Sequence, residues 1–329
     1  MNGEEAAGGG SALRPADDRP PLRPADDRPP LRSADDRPPL RPGLVASDLD
    51  GTLLPPNGVF PPQLIAGVTA LREAGVCFVV STGRMFQSAR RVVADLGLHE
   101  GPIVCYQGAL VTDLADGRPL HHRPLESPAA ADVVRFAHDG GHHINAFVDD
   151  RLFVDSEDDW TKRYAAFGGV EYTVVPDLVP FVLEHPPTKL LILAEPEVVE
   201  QLLPEMQQRW AGELYVTRSL RHHVEINHAD ACKSGALEAL RQRLGVASSR
   251  TVGCGDSYND VDMLRWAALG VAVAEAPDEV RRAADLVVPR ERLGALFVEL
   301  AAAGGLEPAA AEITGPAAAD VPEPGADGR

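Results

Sequence analysis

Leu44-Val45-Ala46-Ser47-Asp48-Leu49-Asp50-Gly51-Thr52-Leu53-Leu54 is a short apolar run that ends in two carboxylates one residue apart, with a glycine directly behind them. Alternate residues of an extended segment project to the same side, so Asp48 and Asp50 reach one site until Gly51 lets the chain turn. Like charges crowded at a strand end repel one another, and a cation that prefers hard oxygen donors, Mg²⁺ above all, would offset that repulsion. Taken alone, Asp-x-Asp fits a strand that merely ends in an acidic turn equally well. The decision rests on what the rest of the chain places beside it.

On either side of this stretch, apolar runs alternate with helical patterns, the arrangement of a parallel α/β sheet. Strands are predicted over 44–47, 76–81, 103–106, 251–254 and 271–274. Helices are predicted over 61–74, 85–96, 234–244 and 259–268. The middle of the chain reads differently. A hairpin is predicted over 144–154 around Asp149-Asp150, then a strand over 188–194, a helix over 197–210 and a strand pair over 213–217 and 223–226. The expectation is an α/β fold, a Rossmann-like core with a parallel sheet interrupted between its third and fourth strands by an antiparallel α+β insert.

The ends read as tails. A nine-residue unit, Leu-Arg-Pro-Ala-Asp-Asp-Arg-Pro-Pro, recurs with Leu at 13, 22 and 31, and a further copy begins at Leu40. One Leu per unit cannot offset the entropy of ordering so polar and proline-rich a segment, so 1–43 is expected to be a disordered leader. Residues 303–329, rich in Ala, Gly, Pro and Glu, are expected to be a disordered tail. The net charge of −18 over 329 residues lies mostly between these ends, which excludes a nucleic-acid binder with a general basic face. No apolar stretch is long enough to cross a bilayer, and the acidic start lacks the pattern of a secretory signal. With Cys77, Cys105, Cys232 and Cys254 far apart and unpaired in sequence, a cytoplasmic protein with reduced thiols is expected. Oligomeric state is not legible.

Three more features fall where open α/β sheets place ligands, at the ends of core strands or the starts of helices. Thr82-Gly83-Arg84 offers a hydroxyl, a backbone N–H and a guanidinium at the head of a helix, a setting that favours oxyanions. Lys233 opens the helix at 234–244, where an ammonium and a helix N-terminus act together on phosphate. Gly255-Asp256-Ser257-Tyr258-Asn259-Asp260 follows the fourth strand and adds two carboxylates and an amide.

Together, Asp48-Leu49-Asp50-Gly51-Thr52-Leu53-Leu54, Ser81-Thr82-Gly83-Arg84, Lys233-Ser234-Gly235-Ala236-Leu237 and the run from Gly255 to Leu264 resemble the haloacid dehalogenase (HAD) superfamily, in its Cof-type, C2-capped class IIB branch of phosphatases. The resemblance spans roughly residues 44–302. It implies a HAD core over 44–123 and 222–302 with a cap inserted over 124–221 that shields the site and selects the substrate. It further implies a Mg²⁺-dependent phosphomonoester hydrolase acting on a small phosphorylated metabolite, a sugar phosphate first or a cofactor phosphate next. By the same resemblance Asp48 is the nucleophile, Asp50 the acid and base, and Thr82 and Lys233 hold the phosphoryl group. Gly83, Arg84 and Asn259 complete the phosphate site, with Arg84 expected to brace the loop through a carboxylate and Asn259 to orient its own. The Mg²⁺ ligands implied are Asp48, the Asp50 backbone carbonyl, Asp256, and Asp260 through water. A mutase or other phosphotransferase of the same superfamily and a non-catalytic phosphometabolite sensor are the alternatives. Two positions depart from the family pattern: Gln107-Gly108-Ala109 stands for Asn-Gly-Ala, and Ala274-Glu275-Ala276 for Gly-Asn-Ala. Glu275 either repels the substrate phosphate or faces solvent. The histidine pairs at 121–122, 142–143 and 222–223 lack the spacing of a helical metal site. Trp160, Tyr164 and Phe167, at near-helical spacing, are expected to pack in a core.

Overall fold

The protein is described over residues 40–303 of a computed structural model. The expected leader and tail lie outside the described residues, except at their inner ends. There the sequence reading needs correction. Residues 40–43 are tied to the core, because Gly43 donates its N–H to the Arg250 carbonyl at 2.8 Å and Arg41 accepts from the Arg250 side chain at 2.9 Å.

The first part of the core comprises β1 (Leu44–Ser47), α1 (Pro62–Glu73), β2 (Cys77–Val80), α2 (Phe86–Ala94), β3 (Pro102–Cys105), β4 (Leu110–Asp113) and β5 (Pro119–His122). An insert follows: α3 (Ser127–Asp139), β6 (His143–Val148), β7 (Arg151–Val154), α4 (Asp159–Gly168), β8 (Tyr172–Val174), α5 (Leu178–Glu184), β9 (Lys189–Leu193), α6 (Pro196–Arg209), β10 (Leu214–Thr217) and β11 (His223–His228). The chain then returns through α7 (Lys233–Arg243), β12 (Thr251–Gly255), α8 (Val261–Trp266), β13 (Leu269–Val273), α9 (Asp278–Ala283), β14 (Leu286–Val288) and α10 (Leu293–Ala302).

The core sheet is parallel, in the order β14-β13-β12-β1-β2, and a bridge from Ser81 to Val104 extends it toward β3. Its strands are apolar on both faces, as a sheet covered on two sides requires. Val45 packs toward Leu64, Val68 and Phe297 of α1 and α10, while Leu44 and Ala46 pack toward Leu237 and Leu240 of α7. Register then decides where chemistry sits. Ser47 pairs with both Cys254 and Val80, so the ends of β1, β12 and β2 fall side by side and deliver Asp48, Asp256 and Thr82 to one edge.

The insert forms a six-stranded sheet in the order β10-β11-β9-β6-β7-β8, antiparallel except for the β7–β8 pair. Asp149 and Asp150, at φ of 49° and 57°, form the left-handed turn that closes the β6–β7 hairpin. β11 belongs to this sheet through its pairing with β9 and β10, so the insert runs to about residue 228 rather than ending at 221. The alternation of β9 and β11 explains why. Leu190, Ile192, Val224 and Ile226 face the helices of the insert, whereas Leu191 and Leu193 join the core cluster. One face of the insert therefore lies over the parallel sheet. Among the described residues no helix is long and apolar enough to cross a membrane.

Candidate active site

Lys233 is the first residue of α7, and its side chain is wholly buried. Its Nζ lies 2.6 Å from Asp48 Oδ1 and 2.6 Å from Asp260 Oδ1. The other Asp260 oxygen accepts the N–H groups of Asp256 and Ser257, at 3.0 and 2.9 Å, which fixes the loop after β12. Thr52 donates its hydroxyl to Asp256 Oδ1 at 2.6 Å, tying that loop to the turn after β1. Gly51 allows the approach: its φ is +91°, and a Cβ there would collide with the Asp256 carboxylate.

Carboxylate oxygens of Asp48, Asp256 and Asp260 lie within 4.8 Å of one another. Three acids thus face one ammonium. Burial raises the Asp48 pKa well above the usual carboxylate range; Lys233 opposes the rise and the charges of Asp260, Asp256 and Asp50 add to it. Burial and the Asp260 charge push Asp256 up to about 6, against the hydrogen bond from Thr52 and the charge of Lys233. Burial alone would lower the Lys233 pKa, but Asp260 and Asp48 outweigh it and the net direction is upward. A permanently charged ammonium beneath an excess of hard oxygen donors fits a divalent cation such as Mg²⁺.

Asp50 lies apart from that cluster. Its carboxylate is held by Arg84 through two hydrogen bonds, Nε to Oδ2 at 2.7 Å and Nη2 to Oδ1 at 2.6 Å. Thr82 is buried, and its Oγ1 accepts the Arg84 N–H at 3.2 Å. The Gly83 carbonyl accepts from Lys189 Nζ at 3.0 Å. Asn259 donates to Gln107 Oε1 at 3.0 Å, and Gln107 donates to Glu225 Oε2 at 2.9 Å. Every residue expected to be catalytic, phosphate-binding or metal-ligating stands at this edge of the sheet, but in two groups: Lys233 and Asp260 beneath the floor, the others lining the space above. Glu275 is exposed and does not line it, so of its two readings the solvent-facing one holds.

That space is a cavity of about 470 Å³ whose floor includes Asp48, Asp50, Thr82, Arg84 and Asp256. Its roof comes from the insert: Tyr164 and Phe167 of α4, Ser219 and Leu220 of the β10–β11 loop, Lys189 of β9, and His223 and Glu225 of β11. Sequence reasoning missed most of this roof. Phe167 was expected to pack in a core, yet it is 58% exposed and turned into the cavity, with the Arg84 guanidinium 5.8 Å from its ring centre. The signal that could have found Lys189 and Glu225 is their place as charged residues inside otherwise apolar strands.

The chain matches the model of the haloacid dehalogenase-like hydrolase family over residues 45–297. It is 27% identical to YxeH of Bacillus subtilis strain 168 over 248 residues, 74% of this chain and 91% of that protein. It is 25% identical over 240 residues to the HMP-PP phosphatase of Yersinia pseudotuberculosis serotype O:1b, 73% of this chain and 86% of that one. Among solved structures, TM0651 from Thermotoga maritima superposes with a TM-score of 0.68 at 28% identity, covering 78% of this chain and 96% of that chain. A match running from β1 to α10, through the insert as well as the core, places the chain in the haloacid dehalogenase-like hydrolase family.

Proposed function

We propose that this chain is a Mg²⁺-dependent phosphomonoester hydrolase acting on a small phosphorylated metabolite, a sugar phosphate or a cofactor phosphate, through an aspartyl-phosphate. The observation that carries the reading is the contact of Lys233 Nζ with Asp48 at 2.6 Å, on the floor of a cavity roofed by the insert. One relative bearing a phosphatase name supports it.

In this reading an Asp48 oxygen attacks phosphorus in line with the ester oxygen. Asp50, as the acid, gives that oxygen a proton as the P–O bond breaks. Asp50 then takes a proton from the water that attacks the aspartyl-phosphate, and Asp48 is released with inorganic phosphate. Arg84 holds both Asp50 oxygens, and the phosphate oxyanion is the natural competitor for that guanidinium. Lys233 opposes the rise in the Asp48 pKa and balances charge on the transferring group, with Thr82 donating to a phosphoryl oxygen. Asp48, Asp256, the Asp50 carbonyl and, through water, Asp260 would hold Mg²⁺, which would supply neutralisation of the phosphoryl oxygens. The insert, acting as a cap over roughly 124–228, excludes bulk water from the ester.

The test is phosphate release from p-nitrophenyl phosphate and from a panel of metabolite monophosphates, with Mg²⁺ and with EDTA. Mg²⁺-dependent free phosphate is expected. Isomerised sugar phosphate without free phosphate would point to a mutase, and inertness toward every ester in a folded, metal-loaded sample would end the proposal.

A further inference from the structure

We propose that the roof of the cavity selects monophosphates whose leaving group is a flat aromatic or heteroaromatic ring, gripped by Phe167, Tyr164 and His223, over polyhydroxylated sugar phosphates. This rests on the phosphatase reading above and narrows its substrate class.

The first support is where the rings stand. Arg84 is 2.6 Å from Asp50 and 5.8 Å from the centre of the Phe167 ring, so Phe167 lies one guanidinium away from the carboxylate assigned to the leaving oxygen. A leaving group attached to that oxygen must pass this wall. His223 closes it, edge-on to Phe167 with centres 6.5 Å apart at 82°, and 6.0 Å from Tyr164. A phenylalanine left 58% exposed on the inner side of a roof keeps an apolar face open for a partner. Leu220 extends the same lining at 41% exposure.

The second support is the state of the polar groups. Lys189 and Glu225 line the cavity but are only 2% exposed, and they are engaged with each other and with their neighbours. Lys189 donates to the Gly83 carbonyl, and Glu225 accepts from Gln107 and Ser219. Among the described residues, the Tyr164 hydroxyl and the His223 ring nitrogens make no hydrogen bond. Burial lowers the His223 pKa to about 4, the Glu225 charge opposing, so the imidazole is neutral near pH 7 with one donor and one acceptor. These two open polar groups of the roof suit a ring with one or two in-plane heteroatoms. A hexose would bring several hydroxyls, and each left without a partner on desolvation lowers kcat/KM by about tenfold or more.

The experiment compares kcat/KM of the full-length, Mg²⁺-loaded protein for benzyl phosphate, pyridoxal 5′-phosphate and glucose 6-phosphate. All three release an alkoxide from a CH₂–O–P group, so the comparison reads the ring. Both ring esters are expected to exceed glucose 6-phosphate by about tenfold or more, and Phe167→Ala to shrink that ratio by about tenfold through the KM of the ring esters, with Phe167→Tyr restoring it. The exposure of Phe167 means that these variants keep the fold. A preference for glucose 6-phosphate, or a Phe167→Ala ratio equal to wild type, overturns the inference while the phosphatase reading stands. Release from none of the esters overturns both.

Discussion

Replacing Asp256 by Asn should stabilise the metal-free protein while removing its response to Mg²⁺. The Asp256 pKa stands at about 6 against an ordinary value of 3.8, because the carboxylate is buried and faces the Asp260 charge. That difference of about two units corresponds to about 3 kcal/mol of ionisation cost once the pH is above both values. Partial contact with solvent screens some of it, leaving about 1–3 kcal/mol. The sign follows from linkage: a folded-state pKa above the unfolded value favours folding below pH 3.8, and that contribution is lost as pH rises through about 6. Asn has the same shape, and its amide oxygen can still accept the Thr52 hydroxyl, so the substitution removes the charge with little else. In EDTA near pH 7.5 its Tm should exceed wild type by about 2–10 °C, with the advantage fading on acidification and vanishing near pH 4. Added Mg²⁺ should raise the wild-type Tm and leave the variant unmoved. Thermal melts across pH, with and without Mg²⁺, read both effects. A variant no more stable than wild type in EDTA near pH 7.5 would refute the picture of an acidic cluster short of positive charge.

Asp48→Asn should lower kcat by about four orders of magnitude or more while phosphate still binds, as product-inhibition or calorimetric titration would show. Glu225→Gln should destabilise the fold by about 3 kcal/mol in urea melts, because it leaves Lys189 buried without a counter-charge, and Lys189→Met beside Glu225→Leu should recover most of the loss. Gly108→Ala should cost about 2–4 kcal/mol and lower kcat with it, since φ is +106° and the new Cβ would collide with the carbonyl of Cys232, the residue before Lys233; denaturation midpoints and rates on the same samples check the pairing.

The core was legible because its physics is local. A strand buried on both faces needs an apolar run, and a ligand site at a sheet edge needs polar residues directly after it, so β1 with Asp48 and β12 with Asp256 announce themselves in consecutive letters. The insert was legible as elements but not as a surface. Lys189 and Glu225 occupy alternate positions of β9 and β11 that face the core; a charge in an apolar strand marks the lysine, but Lys-Leu-Leu-Ile-Leu does not say which partner it meets there. Helical spacing in α4 told correctly that Tyr164 and Phe167 share a side, but a cavity and a core demand the same spacing. The β4–β5 hairpin went unseen because its short strands carry little alternation, and β5 is largely exposed. The boundary at 221 failed for a related reason: β11 pairs with strands of the insert across a loop, and pairing partners are not written in the strand itself.

Gln107 shows what the departures from the family pattern do. Its backbone is left-handed, at φ of 59°, and its amide bridges Asn259, one residue before Asp260, and Glu225 in the insert. Glu225 pairs with Lys189 at 3.8 Å, and Lys189 returns to the core at Gly83, between Thr82 and Arg84. The polar chain therefore starts at one loop of the candidate site, crosses into the insert and ends at another. Lifting the insert would break the Gln107 and Lys189 contacts to the core but would return Lys189 and Glu225 to water, which solvates both ions. Much of what is lost on opening is thus replaced, and the link biases the insert toward closure without locking it. Lys189 also sits 4.8 Å from the ring centre of Phe147 and 5.7 Å from that of Tyr106, attractions that are stronger while the seam is dry. The Gln107 amide thus joins the site to its roof.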